Sequence, residues 1–105
     1  MKKYIAERKL FYTNKGEFER KEFSIRIGYP YQAEQSKVNF TIGDSDVFGC
    51  SIEIIGIPEK EHDVYGVDSV QAINIASNIE PLLERLQKKY NIYWQDGEPY
   101  FDGEE

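Results

Sequence analysis

Hydrophobic and polar residues alternate along the first half of the chain and then change to a helical period. Residues 4–13 are rich in β-branched and aromatic side chains, and Asn14-Lys15-Gly16-Glu17 follows them. That is a hairpin signal, with Gly16 free to take a positive φ. In the next run, 18–28, Phe23, Ile25 and Ile27, with Tyr29 just beyond, fall on one face, and Glu22, Ser24 and Arg26 on the other. Period-two alternation means one buried face and one wet face, as in an antiparallel sheet. Tyr29-Pro30-Tyr31 ends that strand, because Pro30 has no N–H to give to a ladder.

A third strand is predicted over 37–42, with Val38, Phe40 and Ile42 opposing Lys37, Asn39 and Thr41, and Gly43-Asp44-Ser45-Asp46 has the composition of a turn. In a fourth strand Phe48, Cys50, Ile52 and Ile54 alternate with Gly49, Ser51 and Glu53. Its end, Ile54-Ile55-Gly56-Ile57, is apolar on both faces, which points to a covered outer face there. Pro58 stops it, and 59–63 read as a charged loop.

The helical period starts at Asp68, a good N-cap, with Gln71 three residues on to complete a capping box. At 100° per residue, Ala72, Ile75, Ala76, Ile79, Leu82, Leu83, Leu86 and Tyr90 share one face. A stripe of that width is made to lie on a sheet. Lys88 and Lys89 suit the C-terminal end of the dipole. Pro81 deletes a donor and crowds the carbonyl of Ser77, so a kink or restart is expected near Glu80. Ile92-Tyr93-Trp94 adds a short strand, Asp96-Gly97-Glu98-Pro99 is a turn, and an acidic tail ends the chain. These elements predict one α+β domain spanning 1–105. Its expected architecture is a two-layer sandwich, an antiparallel four- to five-stranded meander with one long C-terminal helix on one face.

Composition narrows the function classes. The chain has 105 residues, and its 19 acids against 13 Lys and Arg leave a net charge of −6, which disfavours binding to a phosphate backbone by the whole surface. One Cys excludes an internal disulfide, and one His with one Cys excludes the usual zinc quartets. No apolar run reaches the ~18 residues of a membrane span, and Lys2-Lys3 lead into a mixed segment rather than a signal peptide, so a cytoplasmic location is expected. Charge is uneven. Residues 1–37 hold nine bases and five acids, net +4, and 38–68 hold one base and seven acids, net −6. Lys9, Lys15, Arg20, Lys21 and Arg26, interleaved with Phe11 and Tyr12, form a conceivable single-strand platform. The favoured reading pairs them with Glu7, Glu17, Glu19 and Glu22 on an edge hairpin.

Candidate chemistry is thin. His62 lies between Glu61 and Asp63, which raises a general base or one ligand of a weak metal site. Cys50 sits on an inner strand face, where a thiol behaves as a small hydrophobe. Asp44 with Asp46 is better explained by turn chemistry than by a calcium loop. No glycine-rich phosphate cradle is present, and Asn39-Phe40-Thr41 matches the glycosylation sequon by chance. Tyr and Trp are too numerous for a core this size to bury, and such residues favour protein interfaces.

The run Gly66-Val67-Asp68-Ser69-Val70-Gln71-Ala72-Ile73, with Trp94 and Asp96-Gly97-Glu98-Pro99 downstream and Ile5-Ala6-Glu7-Arg8 near the start, resembles a family of small bacterial domains of unknown function. In that family several strands precede a helix opened by Gly-Val-Asp-Ser-(Val/Leu)-Gln-Ala. The resemblance implies a bacterial, cytoplasmic protein and supplies no activity. The physical role of the run is capping: Gly66 for the turn, Asp68 for the free amides, Gln71 to close the box.

The function expected from these residues is non-enzymatic protein binding, of an immunity- or inhibitor-like kind. It would act through an acidic, Tyr-rich surface containing Tyr29, Tyr31, Asp44, Asp46, Tyr93 and Trp94. The expected partner is another protein; nucleic acid, membrane, metal ion and cofactor are not expected. Two alternatives stand beside it. One is a metal-dependent or acid/base enzyme using His62 with Glu61 or Asp63. The other is a homodimer formed through a strand edge or sheet face.

Overall fold

In the computed structural model, which describes residues 3–33 and 47–101, the alternating half of the chain forms strands and the helical half forms two helices. The order is β1 (Tyr4–Asn14), β2 (Lys21–Gly28), β3 (Tyr31–Ala33), β4 (Val47–Ile55), β5 (His62–Gly66), α1 (Ser69–Ser77), α2 (Glu80–Leu86) and β6 (Tyr90–Tyr93). The predicted strand at 37–42, the turn at 43–46 with Asp44 and Asp46, and the tail at 102–105 lie outside the described residues.

The six strands form one sheet, and every strand pairing among the described residues is antiparallel. β5 pairs with Phe48–Ile52 of β4, a stretch that overlaps the residues paired to β3 and β2. β2 and β3 therefore share one edge of β4, and β5 takes the other. β1 pairs with β2, β3 with β4 and β4 with β5, but β2 pairs with β4 rather than with β3, so the expected meander is interrupted there. β6 returns to the free side of β1. β3 and β5 were not expected: β3 is only three residues long, and His62 and Asp63 looked like loop because charge masked the Val64-Tyr65 pair that follows.

The β1–β2 turn follows its sequence. Gly16 takes φ 84°, and Glu17 N donates to Asn14 O at 3.0 Å. β2 starts at Lys21 rather than at residue 18, because Phe18, 95% exposed, has no sheet face to meet. Beyond Gly28 the alternation fails. Tyr29 is 56% exposed instead of continuing the buried face of Phe23, Ile25 and Ile27, since the ladder stops at Gly28, two residues before Pro30. Ile55 is 37% exposed, so that end of β4's outer face is covered only in part.

One hydrophobic cluster joins Leu10, Tyr12, Phe23, Ile25, Ile27, Cys50, Ile52, Ile54 and Ile92 of the strands to Ala72, Ala76, Ile79, Leu82, Leu83 and Leu86 of the helical segment. The helix is broken, as Pro81 requires. α1 stops at Ser77 and α2 starts at Glu80, which puts Pro81 in the first turn, where the missing N–H has no partner to lose. Two residues of the predicted stripe behave differently. Ile75, beside the break, is 42% exposed, and Tyr90 opens β6, where its ring meets Tyr12 edge-on at 5.2 Å.

At the helix start Gln71 N donates to Asp68 Oδ1 at 2.8 Å. The reciprocal bond from Val67 N to Gln71 Oε1, at 2.7 Å, falls one residue earlier than a capping box places it. Gly66 is needed for close approach rather than for a turn: it closes β5, and a Cβ there would strike Ala72 N and the Gln71 side chain. Asp68→Ala is expected to lower stability by about 1 kcal/mol, seen as a lower urea midpoint at unchanged slope.

Candidate contact surface

The sheet face turned away from the core cluster carries the exposed aromatic and charged side chains. Register places Tyr31 of β3 and Tyr65 of β5 on either side of Gly49, and Asp63 opposite Ser51. Gly49 is required here, since a Cβ at that position would collide with the Tyr31 ring. The Tyr31 hydroxyl donates to Asp63 Oδ2. Burial first, then the bonds to Asp63 and Tyr65, push the phenol well above the ordinary tyrosine range, so Tyr31 stays a neutral donor. Its side chain is held at both ends while 40% of the residue remains exposed. Tyr29, two residues earlier, is 56% exposed.

Further along, Arg26 Nε donates to Glu7 Oε2 at 2.8 Å, and the guanidinium lies 4.5 Å from the centroid of the Tyr4 ring. The hydrogen bond from Arg26 lowers the Glu7 carboxyl below its usual range, and Glu7 raises Arg26. A depressed carboxyl stabilises the fold above its unfolded value, here 4.5, and that stabilisation is lost as pH falls through the folded value. The stability difference between the native chain and Glu7→Gln is therefore expected to shrink between pH 6 and pH 3, measured by urea unfolding at each pH. An unchanging difference would show that the pair contributes nothing. Arg26 with Glu7 is one of the pairings expected of the basic residues, but the hairpin is not an edge, since β1 pairs with β6 and β2 with β4. Lys15 Nζ donates to Asn91 Oδ1 at 3.1 Å rather than to a hairpin acid.

Tyr93 and Trp94 lie elsewhere. Both follow from β6, separated from β3 and β4 by β1 and β2. Arg20 stacks on the Tyr93 ring at 3.9 Å. Trp94 packs on Tyr100 with 4.5 Å between centroids and has Arg8 5.5 Å from its ring. Arg8 Nη1 donates to Tyr100 Oη at 2.8 Å, and Tyr100 Oη donates to Glu80 Oε2 at 2.6 Å. Burial and the Glu80 carboxylate raise the Tyr100 phenol. This cluster straps the segment after β6 to α2 and β1. It is assisted by Gly97 at φ 95°, by the Tyr93–Pro99 bridge and by Tyr100 N donating to Ile92 O. Of the expected contact residues, Tyr31 thus stands with Asp63 and Tyr65, whereas Tyr93 and Trp94 lie at the end of β6 with different partners.

Several acids of the sequence-level acidic surface have internal duties. Glu59, its side chain 8% exposed, meets Arg85 at 3.4 Å and Lys89 at 3.2 Å. Asp63 takes the Tyr31 hydroxyl, and Asp96 Oδ1 accepts from Glu98 N at 3.0 Å. His62 and Asp63 are consecutive strand residues and point to opposite faces. His62 pairs across from the buried Ile52 and lines a cleft beside α1 and α2, while Asp63 faces Tyr31. Geometry therefore separates the two side chains that an acid/base pair would need together. Cys50 is buried, its thiol donates to Gly28 O at 3.1 Å, and burial raises its pKa, which suits the packing role expected for it.

Among the described residues no group of three or more His, Cys, Asp or Glu side chains could hold a metal ion, and no helix is long and apolar enough to cross a membrane. Sequence reading missed Asp63 and Tyr65 as neighbours of Tyr31. The one available signal was the Asp-Val-Tyr alternation before Gly66, which marks β5 once His62 is taken as a strand residue. It also missed the union of Arg8, Glu80 and Tyr100, residues up to 92 positions apart that no local pattern connects. No protein-family model matches the chain, and neither does any curated protein or solved structure.

Proposed function

We propose that this chain is a protein-binding domain without chemistry of its own, a two-layer α+β sandwich in which the helices close one sheet face and the other meets a partner. The observation that carries the reading is Tyr31, half-exposed yet fixed by Gly49 beneath its ring and Asp63 at its hydroxyl, with the more exposed Tyr29 two positions earlier in the chain. A tyrosine already held in one rotamer offers a large contact area at small entropic cost, which is why Tyr is enriched among binding hot spots.

The partner is a protein with a basic site, met in the bacterial cytoplasm in an immunity- or inhibitor-like role. The net charge of −6 supports this, as do Asp63 and Glu53 on the Tyr31 face and Asp44 and Asp46 in the sequence just ahead of Val47. Complementary charge accelerates association and makes it salt-dependent.

The test is capture from native lysate on the immobilised chain, followed by titration of the captured protein at low and high salt. The expected result is a single basic partner whose affinity falls with salt and drops at least about tenfold for Tyr29→Ala combined with Tyr31→Ala. Retention of the same partner at unchanged affinity by that double variant would overturn the proposal.

A further inference from the structure

The β1–β2 loop carries a phenyl ring with nothing around it. Phe18 is 95% exposed, more than any other large hydrophobic residue described. The loop that bears it is anchored on both sides. Asn14 Nδ2 donates to Glu17 Oε1 at 3.0 Å, and Arg20 Nη1 reaches Gly97 O at 3.3 Å while its guanidinium stacks on Tyr93. An apolar side chain presented from a tethered loop has lost little freedom still to be lost on docking. Its immediate neighbours, Glu17 and Glu19, are both acidic and exposed. Acids directly beside the ring disfavour an anionic lipid surface and favour an apolar recess that carries a cation.

The chain contains such a recess. Where the helix breaks between α1 and α2, a cleft of about 360 Å³ opens against β4 and β5. Its walls include Val64, Ile75, Ile79 and Leu82, and His62 and Arg85 stand among its lining. The partial exposure of Ile75, an inward position by helical period, is explained by this opening. Arg85 meets Glu59 at 3.4 Å through one of its five donors, which leaves others for a second carboxylate. The cleft borders β5, whereas the Phe18 loop is tethered to Tyr93 of β6, at the opposite edge of the sheet. Phe18, 95% exposed, does not occupy the cleft of its own chain.

We propose that Phe18 of one copy seats in the His62/Arg85 cleft of a second copy, with Glu17 and Glu19 facing the Arg85 guanidinium. The ring suits the apolar walls of the cleft, and the two carboxylates that flank it directly suit the Arg85 guanidinium; Lys15 and Arg20 of the same loop are held by Asn91 and Gly97. Reciprocal docking closes a two-fold dimer, and one-way docking extends into longer assemblies. Neither surface is the Tyr29–Tyr31 patch, so the inference stands apart from the function proposed above.

Light scattering and sedimentation of the full chain from micromolar to millimolar concentration test it. Association that strengthens with concentration is expected, as a dimer or as a growing series. Phe18→Ser is expected to raise the dissociation constant about thirtyfold, the effect of losing an aromatic hot spot, without altering the fold of so exposed a position. Arg85→Glu is expected to weaken association, and adding Glu17→Arg with Glu19→Arg in the same chain to restore it. Tyr29→Ala combined with Tyr31→Ala is expected to leave association unchanged. A monomer at every concentration would overturn the proposal, as would an oligomer indifferent to Phe18→Ser. Zwitterionic vesicles are included as a probe: co-sedimentation that Phe18→Ser abolishes, in a chain that stays monomeric, would assign the ring to lipid instead.

Discussion

Phe23→Ala is expected to cost about 3–5 kcal/mol of folding free energy, the usual range for a fully buried aromatic. Phe23 is 1% exposed, lies within the cluster that joins β1, β2 and β4 to the helices, and meets the Tyr12 ring edge-on at 5.7 Å. Truncation removes the transfer energy of the ring and leaves a cavity that neighbours anchored in strands fill poorly. Domains of this size hold only ~5–15 kcal/mol in total, so the variant is expected to sit near the edge of folding. Urea unfolding measures it, with Phe18→Ala as an internal control. The same substitution at an almost fully solvated position is expected to change stability by no more than about 0.5 kcal/mol. Comparable losses at the two sites would contradict the burial on which the fold description rests.

Gly56→Ala is expected to cost about 2–5 kcal/mol, for two separable reasons. Gly56 takes φ 96°, a left-handed conformation that costs an L-residue roughly 1–2 kcal/mol. A Cβ there would also press on Glu22 O, Phe23 Cα and Phe23 Cβ, the backbone and root of the core phenylalanine on β2. Backbone yields poorly, so an overpacking cost of roughly 1–3 kcal/mol adds to the conformational one. Gly16→Ala separates the contributions. Gly16 takes φ 84° but has nothing within 4 Å of a would-be Cβ, so only the conformational cost of about 1–2 kcal/mol is expected there. Equal losses at the two glycines would remove the packing argument.

Much of the fold was readable because the determining interactions are short in sequence. The alternation of Phe23, Ile25 and Ile27, the turn at Gly16, the cap at Asp68 and the break imposed by Pro81 each depend on residues within a few positions of one another. Where reading failed, a local pattern was interrupted or hidden. Tyr29 left the alternation once the ladder ended at Gly28. Tyr90 kept the burial the helical stripe assigned it but kept it as a strand residue. The candidate site was readable only in part. Tyr29 and Tyr31 were visible as aromatics around a strand-ending proline, whereas the Asp63 and Tyr65 side chains that hold Tyr31 come from a strand more than thirty positions away.

By itself the sequence determined the faces and the punctuation: which side of each strand is apolar, where the chain turns, where the helix starts and why it breaks. Those are consequences of side-chain period and backbone stereochemistry, and they act over one or two turns of chain. Only the tertiary structure decided which surfaces exist. The tertiary arrangement set Tyr31 beside Asp63 and split His62 from Asp63, gave Glu59 to Arg85 and Lys89, and left Phe18 exposed on the β1–β2 loop, out of the helix-break cleft. Such meetings depend on register between segments far apart in the chain, where a shift of one residue would turn every one of these side chains to the other face.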